Sequence, residues 1–559
     1  MGESPERPYW LEARRTLEAN ETPVDAAPGA PFAVRLREGV LQGVKLQVLE
    51  ARSPAEREPP RSWACDRDTW RAFDEAARAG VGFPFALTRP AESRWELHRE
   101  LPRGVRCSGL GERYGGLELR SRVHTLLSTD DPHHSEASDA LYKVIPFLIL
   151  EQRGEYLGVF LDSPAPQRWD LDSALDSKLR VELLSRRGFR VFVFGPATLP
   201  EVVAAYTRLT GRTEPPPRWS LGHQQSRWSY PDKASVLRIA ERLRRDQLPS
   251  DTLVLDIDYM DEYCVFTVSA ERFPQFGEFI AGLGEQSFSV VPILDPGIRN
   301  RPSDTVFQSG LARGVFCRTP RGELFEARVW AGPSAFPDFF REEARRWWGD
   351  ELTALLSQGV AGCWCDMNEP SFFGQRHVLA PGARTLPPDA DQPCVHALPE
   401  GDVGHLEARS AYGTQMARAT WEALERARPD ERPFVLSRSA YAGGQRYGAV
   451  WLGDNHSWFE HLRRSVPMLI NMGLSGFPFA GVDVGGFGGN ADAELLVRWY
   501  EVGIFYPLFR NHCAMQGRAQ EPWAFGEDVE GLIRGLLAAR YQLLPYLEQL
   551  FFQHYETGA

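Results

Sequence analysis

Carboxylates that fall where apolar runs stop are the groups in this 559-residue chain with the spacing for chemistry. Val360 to Cys365 is a short apolar run, with Gly359 before it and Asp366 and Pro370 after it. It reads as a buried strand that ends abruptly at Asp366. Comparable runs end at Gln224, at Asp256 and Asp258, at Asp295, at Arg438, at Asp454 and at Asp483. Glycoside hydrolysis needs two such carboxyl groups about the scissile bond, one ionised to attack the anomeric carbon and one protonated for the leaving oxygen. A ring of Asp residues also suits a divalent cation, and an Asp after a strand commonly caps the next helix. Little histidine falls at the strand ends, which argues against zinc. His396 and His405 lie in a long loop and match no ligand motif, so no metal ligand is assigned.

Strands alternating with helices must position these groups. The runs Ser220–Gln225, Thr252–Asp258, Phe288–Asp295, Val360–Cys365, Pro433–Arg438, Ala449–Asp454 and Gly476–Asp483 are separated by helical stretches such as Lys233 to Leu248. Repeated units of this kind predict an α/β fold, a (β/α)8-type barrel, which delivers all strand C-termini to one face. A doubly wound sheet would want a Gly-rich turn after its first strand, and Gly222-His223-Gln224-Gln225 is not one. Asp256 and Asp258, two apart on one predicted strand, share a face. Upstream, alternating runs such as Val44–Leu49, Val144–Leu150, Tyr156–Leu161 and Phe189–Phe194 read as antiparallel strands of an N-terminal β-sandwich, interrupted by a helix over 66–79. The expected division is an arm over 1–30, a β-sandwich domain over 31–214, and a barrel over 215–559 with an inserted β-rich segment at about 299–340. Pro215-Pro216-Pro217 is the stiff connector.

The net charge of −12 argues against a nucleic-acid partner. No run of ~18 apolar residues is present, so no membrane partner is expected. The N-terminus lacks an apolar leader region. The eight cysteines are scattered without a CxxC pair, and together these features read as a cytoplasmic protein.

Trp364-Cys365-Asp366-Met367-Asn368-Glu369-Pro370 resembles the nucleophile signature of glycoside hydrolase family 31, the α-glucosidase family. Cys107–Glu112 and Asp139–Phe147 are similar to its N-terminal β-domain, and Gln224–Tyr230, Leu255–Asp261 and Leu294–Gly297 to its first barrel strands. Val329–Asp338, Gln445–Tyr447, Trp451–Asn455, Asp483–Phe487 and Phe509–His512 follow in the family's order. The resemblance implies a retaining α-glycosidase, most simply an α-glucosidase acting on terminal α-glucosides of oligosaccharides, with no metal or organic cofactor. It implies Asp366 as nucleophile and Asp454 as acid and base, with carboxyl groups about 5–5.5 Å apart. It further implies Asp256, Arg438 and His512 as ligands of sugar hydroxyls, Trp330, Trp364 and Phe487 as apolar wall, and Asp130 and Asp295 as further substrate contacts. Arg438 has a second reading from the residues alone, an ion pair that orients a catalytic carboxylate.

The chain departs from the family pattern in places. Leu127-Ser128-Thr129-Asp130 stands for the family's Trp-Asn-Thr-Asp loop, removing an aromatic platform on the leaving-group side. Ala331 replaces a proline, and Ser410-Ala411 replaces a His-Asn pair before Tyr412-Gly413. In the family a strand and further β-domains follow the last long helix, here Val529 to His554. Seven strands are counted, which predicts an open, C-terminally truncated barrel with unpaired edges and lowered stability. The alternative functions are a catalytically impaired, carbohydrate-binding pseudo-enzyme, or another family activity such as α-xylosidase or α-transglycosylase.

Overall fold

Eight short parallel strands close on themselves in the second half of the chain: His223–Gln225, Thr252–Leu255, Ser289–Leu294, Cys363–Cys365, Val435–Ser437, Ala449–Trp451, Ala480–Val484 and Leu508–Asn511. The computed structural model of the protein describes residues 30–558, apart from 31, 55, 57–59, 61, 77, 80–82, 374–392 and 400. The arm expected over 1–30 falls almost wholly outside the described residues. Strands such as Thr252–Leu255 are buried throughout, as expected of parallel strands with packed side chains inside and helices outside. The helices begin at acidic caps where the sequence offers them: Asp232 accepts from Ser235 N, and Asp492 from Leu495 N.

The barrel is closed, which corrects the expected count of seven. Leu508–Asn511 pairs with Ala480–Val484 on one side and with His223–Gln225 on the other. The strand is only four residues long and half of it is polar, so hydrophobic periodicity does not mark it. Its polar members have partners: Arg510 Nη2 donates to Asp483 Oδ1 at 2.7 Å, and Gln225 Nε2 donates to Asn511 Oδ1 at 3.1 Å. Gly481 is required opposite it, because a Cβ there would lie 2.3 Å from Leu508 O. The helix Glu527–Thr557 packs behind this seam. From it the fully buried Arg540 donates to the carbonyls of Leu221, Ile504, Tyr506 and Pro507 at 2.7–3.0 Å. The lowered stability expected from unpaired barrel edges loses its basis.

Ahead of the barrel lie two antiparallel sheets, of seven and five strands. Their facing sides make an aromatic core in which Trp95, from the smaller sheet, meets Phe189 of the larger edge-on at 5.2 Å. They are joined to the barrel by buried bonds: Gly109 N donates to Asn471 Oδ1, Gly111 N to Ser475 Oγ, and Lys143–Val144 pairs with Ala440–Tyr441. This junction carries the segment from Asp130 to Tyr142 onto the barrel's C-terminal face. After the third barrel strand, Ile298–Arg299, Glu326–Val329 and Gly332–Ala335 form a small sheet with the helix Thr305–Ala312 beside it. No helix among the described residues is long and apolar enough to cross a membrane.

Candidate active site

A cavity of about 210 Å³ opens at the C-terminal ends of the barrel strands. Asp366, Asp454, Asp256, Arg438, His512, Trp330, Trp364, Phe487 and Asp130 all line it. Four of them stand directly where a barrel strand stops: Asp256 follows Leu255, Asp366 follows Cys365, Arg438 follows Ser437 and His512 follows Asn511. Asp130 and Pro132 reach the cavity from the N-terminal sheets. Asp295 lies beside the cavity and does not line it. Burial first, then the neighbouring Asp366, pushes its carboxyl up to about 8.

Asp256 and Asp258 do not share a strand face, which corrects that expectation. The strand ends at Leu255, and Asp256 caps a short turn over Ile257–Tyr259, accepting from Ile257 N at 2.7 Å. Asp258 turns away to Ser229, to the Tyr263 hydroxyl and to Arg272. Asp256 instead faces His512, whose Nε2 lies 3.7 Å from its Oδ2, while His512 Nδ1 meets Ser226 Oγ at 2.7 Å.

The two central carboxylates differ in surroundings. Asp366 Oδ1 lies 3.1 Å from Arg438 Nε and accepts from Met367 N at 2.8 Å. Burial raises its carboxyl above the usual range, and Arg438 and that backbone bond oppose the rise. For Asp454 burial again dominates, Arg438 opposes it, and Asp130, Asp366 and Asp483 add to the rise, leaving its carboxyl well above the usual value. Its backbone N donates to the Tyr142 hydroxyl at 3.4 Å. Arg438 also makes the ion pair open in its second reading. Nε and Nη2 grip both oxygens of the fully buried Glu369 at 3.0 and 2.7 Å, and Nη2 lies 3.4 Å from Asp130.

Aromatic rings enclose the cavity. Phe487 stacks on His512 at 5.2 Å, and Trp330 meets Phe373 and Trp228 edge-on at 4.6 and 5.3 Å. Trp364 meets Trp451 and His512 edge-on at 5.6 and 5.3 Å. Among the described residues, Asp130 Oδ1, Trp228 Nε1, Trp364 Nε1, Asp483 Oδ2 and Arg510 Nε and Nη1 are buried lining atoms with no hydrogen-bond partner. Buried polar atoms are normally satisfied, so these are sites for a polar ligand's hydroxyls.

Sequence reasoning assigned no site role to Trp228, Met367, Phe373, Trp451, Asp483 or Arg510, all of which line the cavity. Asp483 was signalled by its place at a strand end. Burial pushes its carboxyl up to about 6, with the Arg510 pairing in opposition. Arg510 lies on the uncounted strand, its guanidinium over the Trp364 and Trp451 rings at 4.6 and 4.9 Å.

Comparison with known proteins places the chain by its domains. The glycosyl hydrolases family 31 TIM-barrel domain matches residues 213–550, and the glycosyl hydrolase 31 N-terminal galactose mutarotase-like domain matches 42–170. Alpha-glucosidase 2 of Bacillus thermoamyloliquefaciens is 40% identical over 455 residues, covering 81% of this chain and 56% of that protein. The chain spans about half the length of the curated relatives it matches. A family 31 alpha-glucosidase from Bacteroides thetaiotaomicron is 34% identical with a TM-score of 0.71, covering 82% of this chain and 74% of that one. The catalytic subunit of ER glucosidase II, solved with a domain of its regulatory subunit, has a TM-score of 0.79 at 25% identity, covering 96% and 69%. This likeness to an ER enzyme overturns the expected cytoplasmic location. Buried free cysteines pack as small apolar groups in any compartment and do not fix one. Matched by the family's barrel over more than half its length, and by its N-terminal domain ahead of that, the chain belongs to glycosyl hydrolase family 31.

Proposed function

We propose that this chain is a retaining α-glycosidase that removes terminal α-glucose units from oligosaccharides. The observation that carries the proposal is the pair Asp366 and Asp454, two carboxyl groups on one small cavity that burial raises to different extents, Asp454 the more strongly. Asp366, beside Arg438 and a backbone N–H, is the one favoured to ionise. Asp454, surrounded by other carboxylates, is the one favoured to hold a proton. Asp366 attacks the anomeric carbon while Asp454 gives its proton to the leaving oxygen, forming a glycosyl ester. Asp454, now a carboxylate, takes a proton from water as that water attacks the same carbon, releasing the sugar with its configuration retained and Asp366 free. The scheme needs no metal or organic cofactor.

Asp256, Asp483, Arg510 and His512 are assigned to the hydroxyls of the bound sugar; all four line the cavity, and the buried atoms of Asp483 and Arg510 without partners support the assignment of those two. Trp330, Trp364 and Phe487 form the apolar wall. Arg438 acts through Asp366 and Glu369 as well as facing the cavity. At about 210 Å³ the cavity is smaller than the ~300–1,000 Å³ typical of drug-sized ligands, which favours one sugar ring. We place the start of the catalytic domain at residue 215, where antiparallel strands give way to strand–helix units.

The test is release of 4-nitrophenol from its α-D-glucoside, with NMR of the sugar anomer formed first. The expected result is α-glucose, with release lost in Asp366→Ala. Folded wild type that releases nothing from the α-glucoside would overturn the glucosidase assignment, and β-glucose as first product would overturn the double displacement.

A further inference from the structure

We infer that Cys317, Cys394 and His396, with Asp338, form a structural site for a thiophilic divalent cation such as Zn²⁺, separate from the catalytic cavity. The sulfurs and one imidazole nitrogen lie within 4.8 Å of one another, and all three residues are buried. Strand register builds the cluster. Arg318 and Val395 pair as an antiparallel bridge, with Val395 N donating to Arg318 O at 2.8 Å. That register sets Cys317 opposite His396, and Cys394 shares His396's face two residues away.

Two of the spacings, both to His396 Nδ1, match a coordination shell, while Asp338 stands at the edge of the three residues whose ligand atoms all lie within 4.8 Å of one another. Tetrahedral zinc with Zn–S about 2.3 Å and Zn–N about 2.05 Å holds S and N about 3.6 Å apart, and N and O about 3.3 Å apart. Cys317 Sγ lies 3.6 Å from His396 Nδ1, and Asp338 Oδ1 lies 3.2 Å from the same nitrogen. A charge-assisted N–H to carboxylate bond would draw in to about 2.7–2.9 Å. Asp338 is already oriented, since its other oxygen accepts from Ala397 N at 2.8 Å.

A supporting shell is also present. His396 Nε2 meets His405 Nδ1 at 2.9 Å, and His405 Nε2 faces Arg409 Nη1 at 3.4 Å. Without a metal, Arg409 donates to His405, His405 to His396, and His396 Nδ1 to Asp338. A cation on Nδ1 moves the proton to His396 Nε2, which then donates to His405 Nδ1; His405 in turn carries its own proton on Nε2 and gives up the long 3.4 Å contact with Arg409. The site has a structural purpose. Cys317, Phe325, Val329, Phe336, Phe372 and Cys394 form a small satellite core apart from the main one. So small a core gains from a cross-link between its distant segments.

The experiment is metal analysis of the whole chain, purified with reductant, equilibrated with Zn²⁺ and freed of loose metal by gel filtration. Cobalt substitution is read by thiolate-to-metal absorption. We expect one zinc per chain and a cobalt–thiolate band. Both should fall at least tenfold in Cys317→Ser and in the apolar double variant C317A/C394A, which preserves the satellite core, and be unchanged in Cys264→Ser. Zinc-free wild type, equal metal in the double variant, or a Cys317–Cys394 disulfide in the non-reduced protein would overturn the proposal.

Discussion

Arg438 holds the charge balance of the cavity, because its guanidinium faces Asp366, Glu369 and Asp130 from a fully buried position. Replacing it with Gln leaves those carboxylates buried without their cation, a loss of about 3–5 kcal/mol. In whatever fraction folds, Asp366 loses the charge that opposes the desolvation raising its pKa. In the proposed mechanism Asp366 attacks as the carboxylate, so the acid limb of kcat/KM should move to higher pH; an unmoved limb would separate Arg438 from the proposed nucleophile. Asp454 calls for a different measurement. Asp454→Ala should cut turnover of unactivated glucosides by about 10²–10⁴-fold. It should spare the first step with 4-nitrophenyl glucoside, whose leaving group needs little protonation. Azide, which attacks without base help, should restore turnover as the glycosyl azide. Failure of azide to restore it would count against the acid–base role.

Among the elements, the closing strand Leu508–Asn511 depends most on groups outside itself. Arg540 ties the turn before it to the turn before the first strand. Arg540→Met keeps the length but strands three buried carbonyls and the half-buried one of Pro507, and hydrogen bonds to charged donors are worth about 1.5–3 kcal/mol each. The expected loss is more than about 3 kcal/mol, read as a drop in the urea midpoint; a loss under about 1 kcal/mol would mean that the helix face alone seals the seam. This strand also shows where the sequence stops being legible. Runs such as Thr252–Leu255 and Ser289–Leu294 announce themselves because parallel strands bury both faces. Leu508–Asn511 is hidden because Arg510 and Asn511 are buried by Asp483, Gln225 and the rings of Trp364 and Trp451, residues distant in sequence. Asp258 failed for the opposite reason. Period-two reasoning assumes that a strand continues, and Asp256 ended it by capping a turn. Most of the cavity's polar residues were legible as strand ends. Trp228 and Phe373 were not, since loops of the barrel's upper face bring them in.

For the molecule as a whole, buried titratable groups set the pH of greatest stability. Burial lowers His124, His134 and His554 to about 4, and His223 and His461 to about 3. The unfolded chain takes up these protons near about 6.5, so stability rises as pH climbs from about 4 to 6.5. Asp295 acts the other way. Its folded value of about 8 lies above the unfolded one, so its contribution is lost as pH rises towards 8. Asp483, at about 6, and the raised carboxyls of Asp366 and Asp454 act in the same direction as Asp295, so below 6.5 they oppose the histidines, and above 6.5 the carboxyls still titrating act unopposed by them. The melting temperature should therefore decline between pH 6.5 and 8.5 in calorimetry, and a steady rise through pH 8.5 would contradict this balance. The cavity itself has a consequence for how a polymer would shrink. A barrel's interior is packed, so a pocket at its mouth is a dead end. Under the proposed function only the tip of a chain would fit, with the remainder in solvent. Each cut would then return both pieces to bulk, and the next encounter would be with any chain present. A pool of oligomers would thus shorten evenly, one unit per visit, with no jump to short fragments and no single chain consumed before its neighbours.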